Sequence, residues 1–307
     1  MLPLFHVYAL TCLTLTIDLA SRVILLPRFD LIEVLKTIDR EKPTLFPGIP
    51  AMYAAINHSL ERNGANKNRV DLSSVKICFS GADRLPREVQ EDFERLSGGR
   101  VIEGYGLTEA SPVTHANPLH GSRRSGSIGL PVSNTEVRII DLETGDDVDT
   151  GQEGEMLVRG PQVMKGYWNQ PEETSNVITA DGWLHTGDVA RADDDGFYYI
   201  VDRKKDVIIT GGINVYPREI EEVLSQFSKI KEVAVKGLPH TLRGEVVKAY
   251  VVLKDNEQAT ASEIRHFARE KLAEYKIPQK IEFIDELPRS VLRKVLKRKL
   301  DEDEKEE

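Results

Sequence analysis

Cysteine is scarce in this chain: Cys12 and Cys78 are the only two among 307 residues. So small a supply excludes a disulfide framework and a cysteine-based metal site, and it fits a reduced compartment. An excess of positive charge is missing as well. Forty-one Lys and Arg stand against 50 Asp and Glu, a net charge of −9, which gives no support to nucleic-acid binding and favours solubility. No Lys or Arg precedes Arg22, so the apolar run at 7–26 (VYALTCLTLTIDLASRVILL) lacks the basic lead of a signal peptide, and Asp18 and Arg22 interrupt it as a membrane span. The run reads instead as a buried helix followed by a buried strand at 22–26. An opening on an apolar segment implies that an element which should cover it is missing. There is no internal repeat.

What remains is the composition of a globular chain, 40% hydrophobic and 30% charged, long enough for two domains. Strand and helix signals alternate over residues 1–125, which favours a mostly parallel sheet with helices on its faces. Asp30 is a plausible N-cap for a helix to Ile38 with Leu31, Val34, Leu35 and Ile38 on one face. Helices are also expected at 51–60 and 87–96, and strands at 44–46, 75–79 and 100–103. From about Gly126 the pattern turns strand-rich, with strands at 136–141 and 154–159 and no long helix between them, as in an antiparallel, barrel-like portion. The predicted fold class is therefore α/β plus a β-barrel-like subdomain, followed by a small α+β domain. The expected division is 1–202 (1–125 α/β, 126–202 strand-rich), 203–300, and an acidic tail at 301–307 read as solvated disorder. Within 203–300 the expectation is helix 217–226, strands 231–236 and 247–253, helix 261–273, strand 280–284 and a last helix beginning near Val291.

The stretch from Gly182 to Leu224 spans the expected joint. A strand at 197–201 gives way to the charged run Asp202-Arg203-Lys204-Lys205-Asp206. A second strand ends on Gly211-Gly212, which accept backbone angles other residues resist. A helix then opens on Pro217, with Glu219, Glu221 and Glu222 near its N-terminus. Upstream, the segment 104–109 (GYGLTE) could bring backbone N–H groups, the Thr108 hydroxyl and the Glu109 carboxylate to a phosphate and its metal. On these residues alone a plain turn capped by Thr108 is the simpler account.

In combination the motifs say more. YGLTE, then GEMLVRG at 154–160 with Gly166-Tyr167-Trp168, then GWLHTGD at 182–188, then DRKK at 202–205, then Gly211-Gly212 before PREIE at 217–221, resemble the adenylate-forming (AMP-binding) superfamily. That superfamily comprises acyl-CoA synthetases, peptide-synthetase adenylation domains and luciferases. The wording GYGLTEASPVTHANP and the opening LPLFHVYAL look most like bacterial long-chain fatty acid–CoA ligases. The resemblance implies an AMP-forming acid–thiol ligase that uses ATP, Mg2+ and coenzyme A. It implies that Tyr105 stacks on adenine, with Gly81, Ala82 and Gly106 as nucleotide contacts. Thr108 would bind phosphate and Glu109 the magnesium. Asp188 would take the ribose hydroxyls and Arg203 support them. Lys205 would be the hinge of the small domain, Gly211 and Gly212 the passage of the pantetheine arm, His6 a neighbour of the acyl tunnel, and Lys294 the lysine that meets the reacting carboxylate.

Each residue also has a plainer reading: Asp188 a turn cap, Glu109 an acid at a helix start, Arg203 and Lys205 a solvated charge run, His6 a packing histidine. The family pattern has glycine where Arg293 precedes Lys294, and Ala-Pro where Asp83-Arg84 stand. Its Ser/Thr/Gly-rich phosphate loop with lysine is not found in these residues. The expectation is an N-terminally truncated, cytoplasmic ligase with impaired activity. It would touch membrane surfaces to collect fatty acid, with no nucleic-acid partner, and would pair with an N-terminal partner fragment or as a homodimer. The alternatives are a non-catalytic nucleotide- or CoA-binding fragment, half of a split enzyme, and a ligase for a medium-chain or aryl acid.

Overall fold

A computed structural model describes residues 2–62, 70–289 and 295–300. It divides into two compact units, Met1–Thr186 with Ala190–Ile200, and Gly187–Val189 with Val201–Glu307.

The first unit opens on helix α1 (Val7–Asp18), in which Ala9 alone is buried. The expected buried helix is therefore only partly covered: Leu10, Leu15 and Ile17 are exposed, while Val7, Tyr8, Cys12 and Leu13 are half-buried. Nor do residues 22–26 form the expected strand; they join none of the sheets, and Val23 and Leu25 are exposed. β-branched side chains favour a strand only where a neighbour can satisfy its ladder. Helix α2 (Leu31–Glu41) starts as expected, the Asp30 side chain accepting from the Glu33 N–H at 3.0 Å. Its Val34, Leu35 and Ile38 are buried.

Strands β1 (Leu45–Gly48), β2 (Ile77–Ser80) and β3 (Arg100–Gly106) pair in parallel in that order. Helix α3 (Pro50–Arg62) connects the first two and α4 (Arg87–Ser97) the next two, giving two βαβ units. Helix α4 ends at Gly98 in the left-handed conformation, its N–H on the Glu94 carbonyl. β4 (Val113–Ala116) and β5 (Leu130–Pro131) extend the sheet antiparallel beyond β3. The core beneath holds Val34, Ile38, Tyr53, Cys78, Phe93 and Val101.

A four-stranded sheet follows, ordered β6 (Glu136–Ile140), β7 (Gly154–Arg159), β8 (Leu184–Ala192), β9 (Tyr198–Arg203). β6 and β7 are antiparallel. The short helix α5 (Pro171–Val177) stands between β7 and β8; neither α5 nor β8 was expected from the sequence pattern.

In the second unit, β10 (Ile208–Thr210) and β11 (Ile213–Val215) form a hairpin. Helix α6 (Pro217–Leu224) has Pro217 in its first turn and buries Ile220 and Leu224. β12 (Ile230–His240) and β13 (Gly244–Leu253) pair antiparallel, α7 (Ala261–Arg269) follows, and β14 (Lys280–Phe283) lies parallel to β13. α7 carries a capping box, Thr260 with Glu263. It stops at Arg269, four residues short of the expected end, and a 3-10 turn (Glu274–Lys276) precedes β14. The expected last helix near Val291 falls largely outside the described residues. Mixed α/β sheets followed by a small α+β unit are the fold class that the strand and helix order predicts.

Candidate functional site

In an open α/β sheet, ligands bind beyond the carboxyl ends of the parallel strands. Two predicted segments meet there. Ser80 pairs with Glu103, so Gly81-Ala82, which leave β2, lie beside Gly104-Tyr105-Gly106, the last residues of β3. A Cβ built on Gly81 would lie 3.7 Å from the Gly104 carbonyl oxygen and from the Tyr8 ring. Ala82 is exposed and has φ +68°, a left-handed backbone that costs a non-glycine residue about 1–2 kcal/mol. Such strain persists only where the surroundings impose it, and it concentrates at binding sites.

Tyr105 is half-buried on β3, opposite His115 of β4. The two rings meet edge to face at 6.0 Å, and Tyr198 packs on His115 at 4.8 Å. Thr114 Oγ1 and His115 Nδ1 share a hydrogen bond of 2.9 Å. Burial pushes the imidazole down to about 3, so it is neutral. Gly106 has no space for a side chain: a Cβ there would overlap the Pro112 carbonyl, which also accepts from the Leu107 N–H at 3.0 Å. This close approach turns the chain into a short 3-10 helix (Thr108–Ala110). Thr108 is exposed and Glu109 half-buried.

Glu109 is held from two directions. Its carbonyl accepts from the Met164 N–H at 2.7 Å, and its Oε1 accepts from the Tyr167 hydroxyl at 2.8 Å. Burial, then the Glu109 carboxylate, raises the Tyr167 pKa, so the phenol stays a donor. Among the described residues no cationic side chain pairs with Glu109, and no three or more His, Cys, Asp or Glu form a metal cluster. One carboxylate beside a hydroxyl, without a protein cage, is a donor set that suits Mg2+ bound largely through substrate phosphates and water.

His6 caps α1, its Nδ1 accepting from the Tyr8 N–H at 3.2 Å. Two residues on, the Tyr8 hydroxyl reaches the Phe79 carbonyl at 2.7 Å and the Gly48 carbonyl at 3.2 Å. Tyr8 thus ties α1 to the carboxyl ends of β1 and β2. Burial, then the nearby Cys12 thiol, raises its pKa well above the ordinary value.

In the second unit Asp188 is 6% exposed, and Arg203 Nε stands 3.1 Å from its Oδ1. The expected ribose pair is therefore in direct contact. Lys205 is exposed in a 3-10 turn (Lys204–Asp206). Gly211 and Gly212 are the two-residue loop between β10 and β11, at φ +61° and +80°. Positive φ at both central positions is what a type I′ hairpin turn requires. Lys294 lies outside the described residues.

Three contributors escaped the sequence reading. Asp202, at the head of the charged run, accepts from the Arg203 N–H at 2.8 Å and the Arg218 N–H at 2.9 Å, which fastens the joint to the start of α6. Asn117 donates to the Glu103 and Ser127 carbonyls and accepts from the Arg124 N–H, which holds β3 and β4 to the following loop. Tyr167 stood in a quoted motif, but nothing local pointed to Glu109.

Comparison with known proteins adds an independent line. The AMP-binding enzyme family matches residues 1–168, and the AMP-binding enzyme C-terminal domain matches residues 219–294. The long-chain-fatty-acid–CoA ligase of Bacillus subtilis (strain 168) is 51% identical over 305 residues, covering 99% of this chain and 53% of that protein. The chain thus spans about half the length of the curated relatives it matches. Among solved structures, ATP-bound MatB from Rhodopseudomonas palustris is similar with a TM-score of 0.88 at 33% identity, over 99% of this chain and 59% of that one. The O-succinylbenzoate coenzyme A synthetase (MenE) of Bacillus subtilis, in complex with ATP and magnesium ion, has a TM-score of 0.84 at 32% identity, over 98% of this chain and 60% of that one.

Proposed function

The chain belongs to the AMP-binding enzyme family, and from that premise we propose that it supplies the carboxyl-edge nucleotide site and the small domain of an AMP-forming long-chain fatty acid–CoA ligase. The observation that carries this reading is the convergence of Gly81-Ala82 with Gly104-Tyr105-Gly106 at the ends of two parallel strands, followed at once by Thr108 and Glu109. Similarity to the Bacillus subtilis ligase supports the substrate class.

The reaction has two displacements. A fatty carboxylate oxygen bonds to the α-phosphorus of ATP and pyrophosphate leaves. The coenzyme A thiolate then bonds to the acyl carbon of the adenylate and AMP leaves. Tyr105 offers a ring face to adenine, and the backbone at Gly81, Ala82 and Gly106 admits the nucleotide closely. Thr108 donates its hydroxyl to a phosphate oxygen. Asp188 accepts from the ribose hydroxyls, its carboxylate held by Arg203. Mg2+, with Glu109 as its protein ligand, would neutralise charge that concentrates on the phosphates. Lys294 brings an ammonium to the reacting carboxylate. Residues 1–202 form the nucleotide-binding part and 203–300 the part that turns about Lys205, which lets Gly211 and Gly212 line the pantetheine path in the second step. His6 and α1 border the acyl group.

A cytoplasmic setting, contact with membrane surfaces and association with an N-terminal partner fragment or a second copy belong to the same reading. The exposed apolar residues Phe5, Ile17 and Leu19 support such contacts. No helix among the described residues is long and apolar enough to cross a membrane.

Calorimetric titration of the chain with AMP tests the nucleotide site: binding that Tyr105→Ala and Asp188→Asn each weaken supports it, and no AMP binding overturns it. ATP–pyrophosphate exchange with palmitate, benzoate and succinate then tests the acid. Exchange strongest with succinate or benzoate would overturn the long-chain assignment.

A further inference from the structure

Glu109 is a half-buried carboxylate with no cationic partner among the described residues. A carboxylate that is to meet a cation in a fixed geometry needs a partner that orients it. The partner present is a phenol from a distant loop: the Tyr167 hydroxyl donates to Oε1 at 2.8 Å across 58 residues of sequence. Tyr167 is itself fixed. Its N–H donates to Thr174 Oγ1 at 2.9 Å, and that hydroxyl donates to the Gln170 carbonyl at 2.8 Å at the start of α5. Gly166, next to it, has no room for a Cβ against the Thr174 side chain (2.7 Å). The same loop returns to Glu109 at its backbone, through the Met164 N–H at 2.7 Å. Two contacts, one to the main chain and one to the side chain, thus fix both the position of Glu109 and the rotation of its carboxylate.

We propose that Tyr167 is a positioning residue for Glu109: its hydroxyl occupies Oε1 and leaves Oε2 as the oxygen offered to a divalent cation carried by a nucleoside triphosphate. This rests on the reading of Glu109 as the magnesium ligand. A hydrogen-bond donor one step behind a metal ligand removes its rotational freedom, and loss of such a partner typically weakens metal affinity about 10–100-fold. Because the donor is neutral, it orients the carboxylate without competing with the cation for its charge, as a lysine or arginine would.

The test is Tyr167→Phe in the whole chain, which removes one oxygen and keeps the ring. Calorimetry measures ATP affinity over a range of Mg2+ concentrations, and AMP affinity without metal. The expected result is a roughly tenfold rise in the Mg2+ concentration needed for half of the metal-dependent gain in ATP affinity, with AMP affinity and thermal midpoint unchanged. An unchanged Mg2+ requirement overturns the proposal. So does an equal loss of AMP and Mg-ATP affinity, which would mark a merely structural contact. Glu109→Gln separates the two layers. If it abolishes the metal-dependent gain while Tyr167→Phe does nothing, the positioning role alone falls. If Glu109→Gln also leaves the gain intact, or if ATP binding has no metal dependence, the magnesium reading falls and this inference with it.

Discussion

The carboxyl edge of the first sheet and the charged joint around Asp188 and Arg203 hold their candidate groups by different means. At the sheet edge the main chain does the shaping: Ala82 sits at φ +68°, and Gly106 presses against the Pro112 carbonyl. At the joint, side-chain charge does it: Asp188 is buried against Arg203, and Asp202 grips two backbone N–H groups. Steric exclusion is short-ranged and unforgiving, whereas an ion pair with one exposed partner is adjustable and screened by water. The first region should therefore resist added atoms and the second should resist lost charge.

Substitutions that exchange these two sensitivities break or sharpen the contrast. The largest effect is expected for Gly106→Ala, whose methyl would overlap a backbone oxygen that cannot swing aside. Thermal unfolding should report a loss of about 3 kcal/mol, the upper part of the range for overpacking, together with loss of AMP binding. A fully stable variant would mean that the Pro112 segment gives way. Asp188→Asn keeps the shape and removes the charge. AMP affinity should fall about 10–100-fold, the worth of hydrogen bonds to a charged acceptor, while the thermal midpoint moves little. A large drop in midpoint with unchanged affinity would assign the pair to structure.

His115 supplies a pH signature confined to the sheet-edge region. Its folded-state pKa is pushed down to about 3 from an ordinary 6.5, so the unfolded chain takes up the proton first as pH falls. Its contribution is complete above about 6.5 and is lost as pH falls toward about 3. His115→Phe should flatten that part of the acid-unfolding curve, and identical curves for the two proteins would refute the burial argument. The smallest effect is expected for Gly212→Ala, where nothing lies within 4 Å of an added Cβ. Only the left-handed conformation opposes it, at roughly 1 kcal/mol. A loss as large as that for Gly106→Ala would show that the hairpin glycine is sterically confined as well.

Much of the local structure was legible because its causes lie within a few residues. Asp30 could be read as a cap because its acceptor needs only the N–H three positions on. Pro217, the first-turn acids and the Ile220 and Leu224 face announced α6 in the same way, and paired glycines announced the end of β10. The short strands β4, β5 and β11 were missed because two to four residues carry too little periodicity. The strand expected at 22–26 was wrong because an apolar run does not reveal whether a neighbour is present to receive its ladder.

The sequence by itself determined which chemistry-bearing groups the chain carries and in what order: a glycine turn after one strand, GYGLTE after the next, HTGD, then DRKK and the paired glycines. It did not determine their settings: HTGD lies within β8, while Thr108, Glu109, Lys204 and Lys205 stand in 3-10 turns. Tertiary structure alone decided which of them meet. Tyr8 reaches Phe79 across 71 residues and Tyr167 reaches Glu109 across 58. Such pairings depend on strand order and on the path of intervening loops, and a hydroxyl or carboxylate has no local signature for the partner it will find. The same reason explains α1, whose apolar sequence promised burial. Burial is a property of what packs against a helix, not of the helix alone.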